Sequence, residues 1–112
     1  MVCPMSDHRI VFCTCPDHDT AEQLAEKILQ DRLAACVNLV PGLTSLYIWK
    51  GNLTRGTEVL LMIKTTNAVY QQLEQTLQTL HPYELPEIIS VPIEAGLDGY
   101  LGWITENCTA TL

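Results

Sequence analysis

The sequence predicts an α+β fold, a ferredoxin-like two-layer sandwich, from three observations. Its apolar patterns run β-α-β-β-α-β with a short helix at the end. Two β-α-β halves of similar length are joined by an unusually long hairpin. Its 112 residues, 47% of them hydrophobic and 17% charged, suffice for a single core but not for two. One domain spanning residues 1–112 is therefore expected.

Arg9 to Cys15 is apolar and β-rich, and Pro16-Asp17-His18-Asp19 breaks it. Ala21, Leu24, Ala25, Ile28, Leu29 and Leu33 then share one face at helical spacing, opposite Glu22, Glu26, Lys27 and Gln30. Asp19 with Glu22 reads as a capping box. Cys36 to Trp49 returns to strand character, with Pro41-Gly42 marking a bulge or kink. Lys50-Gly51-Asn52 is turn chemistry, and Leu53 to Thr66 runs back as a strand whose weak point is Arg55-Gly56. Asn67 can cap a second helix with the stripe Val69, Tyr70, Leu73, Leu77 and Leu80, ending at His81-Pro82. Glu87 to Ile93 is the last core strand, and Asp98 opens a short helix containing Leu101, Trp103 and Ile104.

The strands do not alternate as an isolated two-layer sandwich requires. Val59-Leu60-Leu61-Met62-Ile63 and Ile10-Val11-Phe12-Cys13 are apolar on both faces, and Ile88-Ile89-Ser90-Val91 is nearly so. A sheet face lined by Leu60 and Met62 exceeds the apolar patch that monomers usually expose. Fourteen hairpin residues at roughly 3.3 Å each span about 45 Å, so the tip reaches past its own sheet. A homo-oligomer is expected, with the hairpin pairing on a neighbouring subunit. The alternative is that the terminal segment folds back over the open face.

Six basic residues against thirteen acidic ones give a net charge of −7 without a basic cluster, which argues against nucleic acid and anionic membranes and favours cations. No basic-then-apolar leader precedes the first strand, and no apolar run reaches membrane-spanning length. Five cysteines at irregular spacing do not form a disulfide framework, so a reducing cytoplasm is the expected location.

Cys13-Thr14-Cys15 places two thiols on one side of a strand, and His18 follows at the strand-to-helix junction, so ligands for soft or borderline metals could meet there. Cysteines in an apolar strand also serve simply as small core residues. In His81-Pro82-Tyr83-Glu84-Leu85-Pro86-Glu87, two prolines hold an imidazole, a phenol and carboxylates in a rigid loop. The expected topology brings that loop beside the first strand, and His81 towards Cys13. The other role open to His81 is to cap the carbonyls of its own helix. Lys64 interrupts an apolar strand and needs a carboxylate, an anionic ligand or water, and Trp49 lies near the facing turn. Gly-rich phosphate loops, nucleophile elbows and His-Glu-x-x-His helices are all missing, so no enzymatic turnover is expected.

Together these stretches resemble the CutA family of divalent-cation-tolerance proteins. The resemblance rests on Cys13-Thr14 with Pro16-Asp17, Leu33-Ala34-Ala35-Cys36-Val37-Asn38, and Pro41-Gly42 through Ser45-Leu46-Tyr47, Trp49 and Gly51. It continues through Glu58, Lys64-Thr65-Thr66, His81-Pro82-Tyr83, Pro86-Glu87, and Tyr100-Leu101 with Trp103, covering about residues 9 to 105. It implies a cytoplasmic homotrimer similar to the PII signalling proteins and a role linked to copper and other divalent metals such as zinc. Copper would be bound at Cys13 and His81. A His-His pair that precedes Pro-Tyr in some members is Leu80-His81 here, so Cys15, His18 or Glu87 would have to supplement the site. The resemblance also implies an inter-subunit cleft, lined by Trp49, Lys64, Tyr83 and Glu87, that could hold a small anion or metabolite.

Overall fold

The computed structural model describes residues 7–109. Strand β1 (His8–Cys15) leads into helix α1 (His18–Gln30), and strands β2 (Cys36–Trp49) and β3 (Asn52–Thr66) form the long hairpin. A single 3-10 turn at Asn67–Val69 precedes helix α2 (Tyr70–Leu80), followed by strand β4 (Ile88–Pro92) and helix α3 (Asp98–Asn107). The strands form one antiparallel sheet in the order β2-β3-β1-β4, the ferredoxin-like arrangement expected. Within the described residues no helix is long and apolar enough to cross a membrane.

Side-chain alternation divides the sheet. Val11, Cys13 and Cys15 of β1 pair across from Ile63, Leu61 and Val59 of β3, and all six are buried beneath the helices. Ala21, Leu24 and Ile28 of α1 and Leu73 and Leu77 of α2 close this core. Ile10, Phe12, Leu60 and Met62 take the opposite parity, as do Ile89 and Val91, which remain 55% and 42% exposed. α3 packs against β1 and β3 and buries Ile104 outside the main core cluster, so the terminal segment covers only part of the molecule's remaining apolar surface. The hairpin keeps Leu46, Ile48 and Leu53 more than 60% exposed.

Several local expectations are refined. α1 is capped by Asp17, whose carboxylate accepts from the Thr20 N–H at 2.8 Å, rather than by Asp19. That hydrogen bond holds the Asp17 carboxyl below its ordinary value. Asn67 caps no helix. The chain enters α2 through the 3-10 turn, and the Asn67 side chain instead accepts from Arg9 Nε at 2.7 Å. Arg55-Gly56 does not interrupt the ladder, because both residues pair in register with Leu46 and Ser45.

The irregularity lies at Pro41-Gly42, as expected: three steps along β2 match two along β3 between Val40↔Leu60 and Leu43↔Glu58. Gly42, at φ +78°, supplies the left-handed backbone that the bulge requires. The extra residue reverses the parity of the strand beyond it. Ser45, Tyr47 and Trp49 therefore share the face of Glu58, opposite the helices. Lys50 and Gly51, both at positive φ, close the hairpin as a two-residue turn.

Candidate metal centre

β1 presents Cys13 and Cys15 on its helix-facing side, two residues apart, both with no solvent exposure. α2 ends at Leu80 because the residue before Pro82 is pushed out of helical geometry, and His81 adopts φ −71°, ψ 138°. Its N–H still closes the last turn on the Leu77 carbonyl at 2.9 Å, while its ring turns inward and is 7% exposed. The Sγ atoms of Cys13 and Cys15 and a ring nitrogen of His81 lie within 4.8 Å of one another.

The neighbours of His81 fix its tautomer. The Tyr83 backbone N–H can only donate, so Nδ1 accepts from it at 3.1 Å. The Thr14 carbonyl can only accept, so Nε2 carries the proton and donates at 2.8 Å. The ring therefore does not cap the carbonyls of its own helix with its side chain. It ties the loop to β1. The hydrogen bond between the two thiols holds Cys15 below its ordinary value. The same bond, and then burial, hold Cys13 far above it.

The donor set fits a soft or borderline ion. Bonds of about 2.0 to 2.3 Å to nitrogen and sulfur require donors separated by roughly 3.5 to 4.6 Å, close to the 4.8 Å within which these atoms lie. Of the residues that could supplement Cys13 and His81, only Cys15 joins the cluster. His18 is exposed and pairs with Glu22 at 3.2 Å, and Glu87 lies outside it. Leu80 is 48% exposed, whereas the His81 ring is buried.

Beyond His81, the loop to β4 carries the chain past the end of β1 to the open face. There the Tyr83 hydroxyl donates to Glu58 Oε2 at 2.7 Å. Burial, and then that bond, hold the Tyr83 hydroxyl well above its ordinary value. Glu58 is 8% exposed, and no cation lies within ion-pair distance of it among the described residues. A cavity of about 740 Å³ opens here, lined in part by Thr14, Tyr47, Trp49, Glu58, Tyr83 and Glu87.

Trp49, Tyr83 and Glu87 thus meet, but Lys64 does not line this cavity within its own chain. It sits six residues along β3 from Glu58 and donates to Asn38. Sequence reading singled out neither Glu58 nor Tyr47 as a cavity residue. Glu58 does carry a legible signal, a charge adjoining the apolar run Val59–Ile63 as Lys64 does at the other end. Tyr47 depends on the side-chain parity beyond the bulge, which only the strand register reveals.

Comparisons with known proteins place the chain in a family. The family model described as CutA1 divalent ion tolerance protein matches residues 9–107. A relative from Thermus thermophilus, named divalent-cation tolerance protein CutA, is 44% identical over 98 residues, covering 88% of this chain and 95% of its own. The crystal structure of CutA1 from the psychrotrophic bacterium Shewanella sp. SIB1 superposes with a TM-score of 0.92 at 37% identity, covering 96% of this chain and all of that one. A structure from Archaeoglobus fulgidus, described as a periplasmic divalent cation tolerance protein CutA, gives 0.87 at 34% identity, covering 89% and 97%. The chain belongs to the CutA1 family of divalent ion tolerance proteins.

Proposed function

We propose that this protein is a cytoplasmic homotrimer that binds copper, and more weakly other divalent metals such as zinc, through Cys13 and His81, and contributes to divalent-cation tolerance without enzymatic turnover. The observation that carries the reading is the buried cluster of two thiols and one imidazole. Thiolate and imidazole suit copper and zinc, and sequestration needs no reacting substrate. Acidic Glu58 and Glu87 beside the loop, on a chain of net charge −7, raise the local concentration of cations.

Association is supported by the sheet's second face, where Ile89 and Val91 stay exposed beside Phe12 and Met62, and by the protruding apolar hairpin. Calorimetric titration with Cu and Zn ions tests the binding: the wild type should bind, and the double variant Cys13→Ser, His81→Ala should not. Equal binding by both proteins would place the metal elsewhere.

The cavity favours a second reading, a PII-like signalling trimer with a small anionic ligand in an inter-subunit cleft around Trp49, Lys64, Tyr83 and Glu87. Because the cavity of one chain is lined by carboxylates, a neighbouring subunit has to supply Lys64. A thermal-shift screen of small anions should then give a hit that Lys64→Ala abolishes. A hit that survives the substitution would reject this cleft.

A further inference from the structure

We infer that the ion held by this centre is a soft monovalent one, Cu(I) or Ag(I), gripped chiefly by the two sulfurs of Cys13 and Cys15 while His81 keeps its hydrogen bonds. The inference rests on the metal-binding reading of the same cluster, and it names Cys15 as the ligand that replaces a second imidazole.

Three features of the site carry it. The first is the commitment of the His81 ring, in which Nδ1 receives the Tyr83 N–H and Nε2 donates to the Thr14 carbonyl. Neither nitrogen offers a lone pair until one of those bonds opens, and opening them strips the buried Thr14 carbonyl or the half-buried Tyr83 N–H of its partner, which is unfavourable. The sulfurs carry no comparable commitment to the backbone.

The second feature is the number of donors. Structural zinc sites take four protein ligands, and hard divalent ions take six or more oxygens. Among the described residues the cluster contains only Cys13, Cys15 and His81, and Val11, Leu61 and Leu77 belong to the apolar core around it. A low-coordinate, sulfur-rich and dry environment suits a soft ion and leaves a borderline one under-coordinated. The third is position. Period-two spacing on β1 makes the two thiols neighbours on one face, and both are fully buried, so they need no rearrangement of strand or helix to meet.

Loading replaces the two S–H bonds by metal–sulfur bonds and releases two protons to solvent. The ion enters already as M(I), so no electron transfer is involved. Thr14 and Tyr83, whose backbones hold the His81 ring, also line the acidic cavity, which marks the side from which a cation approaches.

The test is competition with a chromophoric Cu(I) chelator under anaerobic reducing conditions. Ag(I) serves as a redox-inert probe, and Zn(II) is titrated in parallel. Wild type should retain Cu(I) and Ag(I) in preference to Zn(II). Both Cys15→Ala and Cys15→Ser should lose at least about 100-fold in Cu(I) affinity, more than the 10–100-fold expected of an outer partner. His81→Gln, which keeps a donor and an acceptor, should lose less than either Cys15 variant and no more than the roughly 10–100-fold of an outer partner.

Thermal melts of the metal-free variants establish that each is folded, and the Ala and Ser versions together separate packing from ligation. If both Cys15 variants bind like wild type while Cys13→Ala does not, the two-sulfur inference falls and the Cys13–His81 reading survives. Zn(II) held more tightly than Cu(I) and Ag(I) also overturns the inference. Undiminished binding by Cys13→Ala overturns both.

Discussion

Replacing Tyr83 by phenylalanine deletes one hydroxyl and tests how the loop after α2 is anchored to the hairpin. That hydroxyl donates to Glu58 Oε2 at 2.7 Å, and Glu58 is 8% exposed without a cationic partner among the described residues. Hydrogen bonds to charged groups contribute about 1.5 to 3 kcal/mol. Tyr83 is only half-buried, which places the expected loss at the lower end, about 1.5 kcal/mol. Because any mutation here also alters packing, the informative quantity is the coupling in a cycle of Tyr83→Phe, Glu58→Met and the double variant. A coupling of about 1 kcal/mol is expected. Urea unfolding should be run at one fixed protein concentration, since self-association contributes to apparent stability. Additivity to within about 0.3 kcal/mol would refute the anchor. The backbone N–H that holds His81 is untouched, so the single variant should bind metal like wild type.

Phe12→Glu puts a charge in the middle of the open sheet face and should reduce the mass found by light scattering from a multiple of the chain to the 12.5 kDa monomer. An unchanged mass would show that this face is not the interface. The raised Tyr83 hydroxyl predicts an alkaline limb. The folded state keeps the proton that the unfolded chain releases near its ordinary value of about 10, so stability is complete below that pH and falls above it. Tyr83→Phe should flatten the limb, and an unaltered limb would contradict the assignment. Gly42→Ala meets no atom within 4 Å but must hold φ +78°, so it should destabilise by about 1 to 2 kcal/mol through backbone strain alone. A stabilised variant would mean that the bulge relaxes.

The fold was legible because its signals are local. The period of Ala21, Leu24, Ala25 and Ile28 marks α1, and Lys50-Gly51 marks the turn of the hairpin. The two-sided strands were equally plain. What escaped were choices between near-equivalent groups. Asp17 and Asp19 are both acceptable caps, and only the backbone entering the helix decides for Asp17. Asn67 could have capped a helix, but Arg9 on the neighbouring strand captured its side chain.

At the site, Cys13 and His81 could be paired through topology alone, and the structure brings them together. The promotion of Cys15 above His18 required knowing that α1 starts with His18 directed to solvent and Glu22. The cavity was least legible, because one residue inserted at Pro41-Gly42 decides that Tyr47 and Trp49 join Glu58. No periodicity rule announces which side of a bulge a strand will show.

Anomalous scattering from crystals of the reduced protein soaked with Cu(I), recorded at the metal's absorption edge, locates the ion directly. The account predicts one dominant peak per chain between the sulfurs of Cys13 and Cys15 and close to the His81 ring. Density confined to exposed His18, or to Glu84 and Glu87 of the cavity, would contradict it.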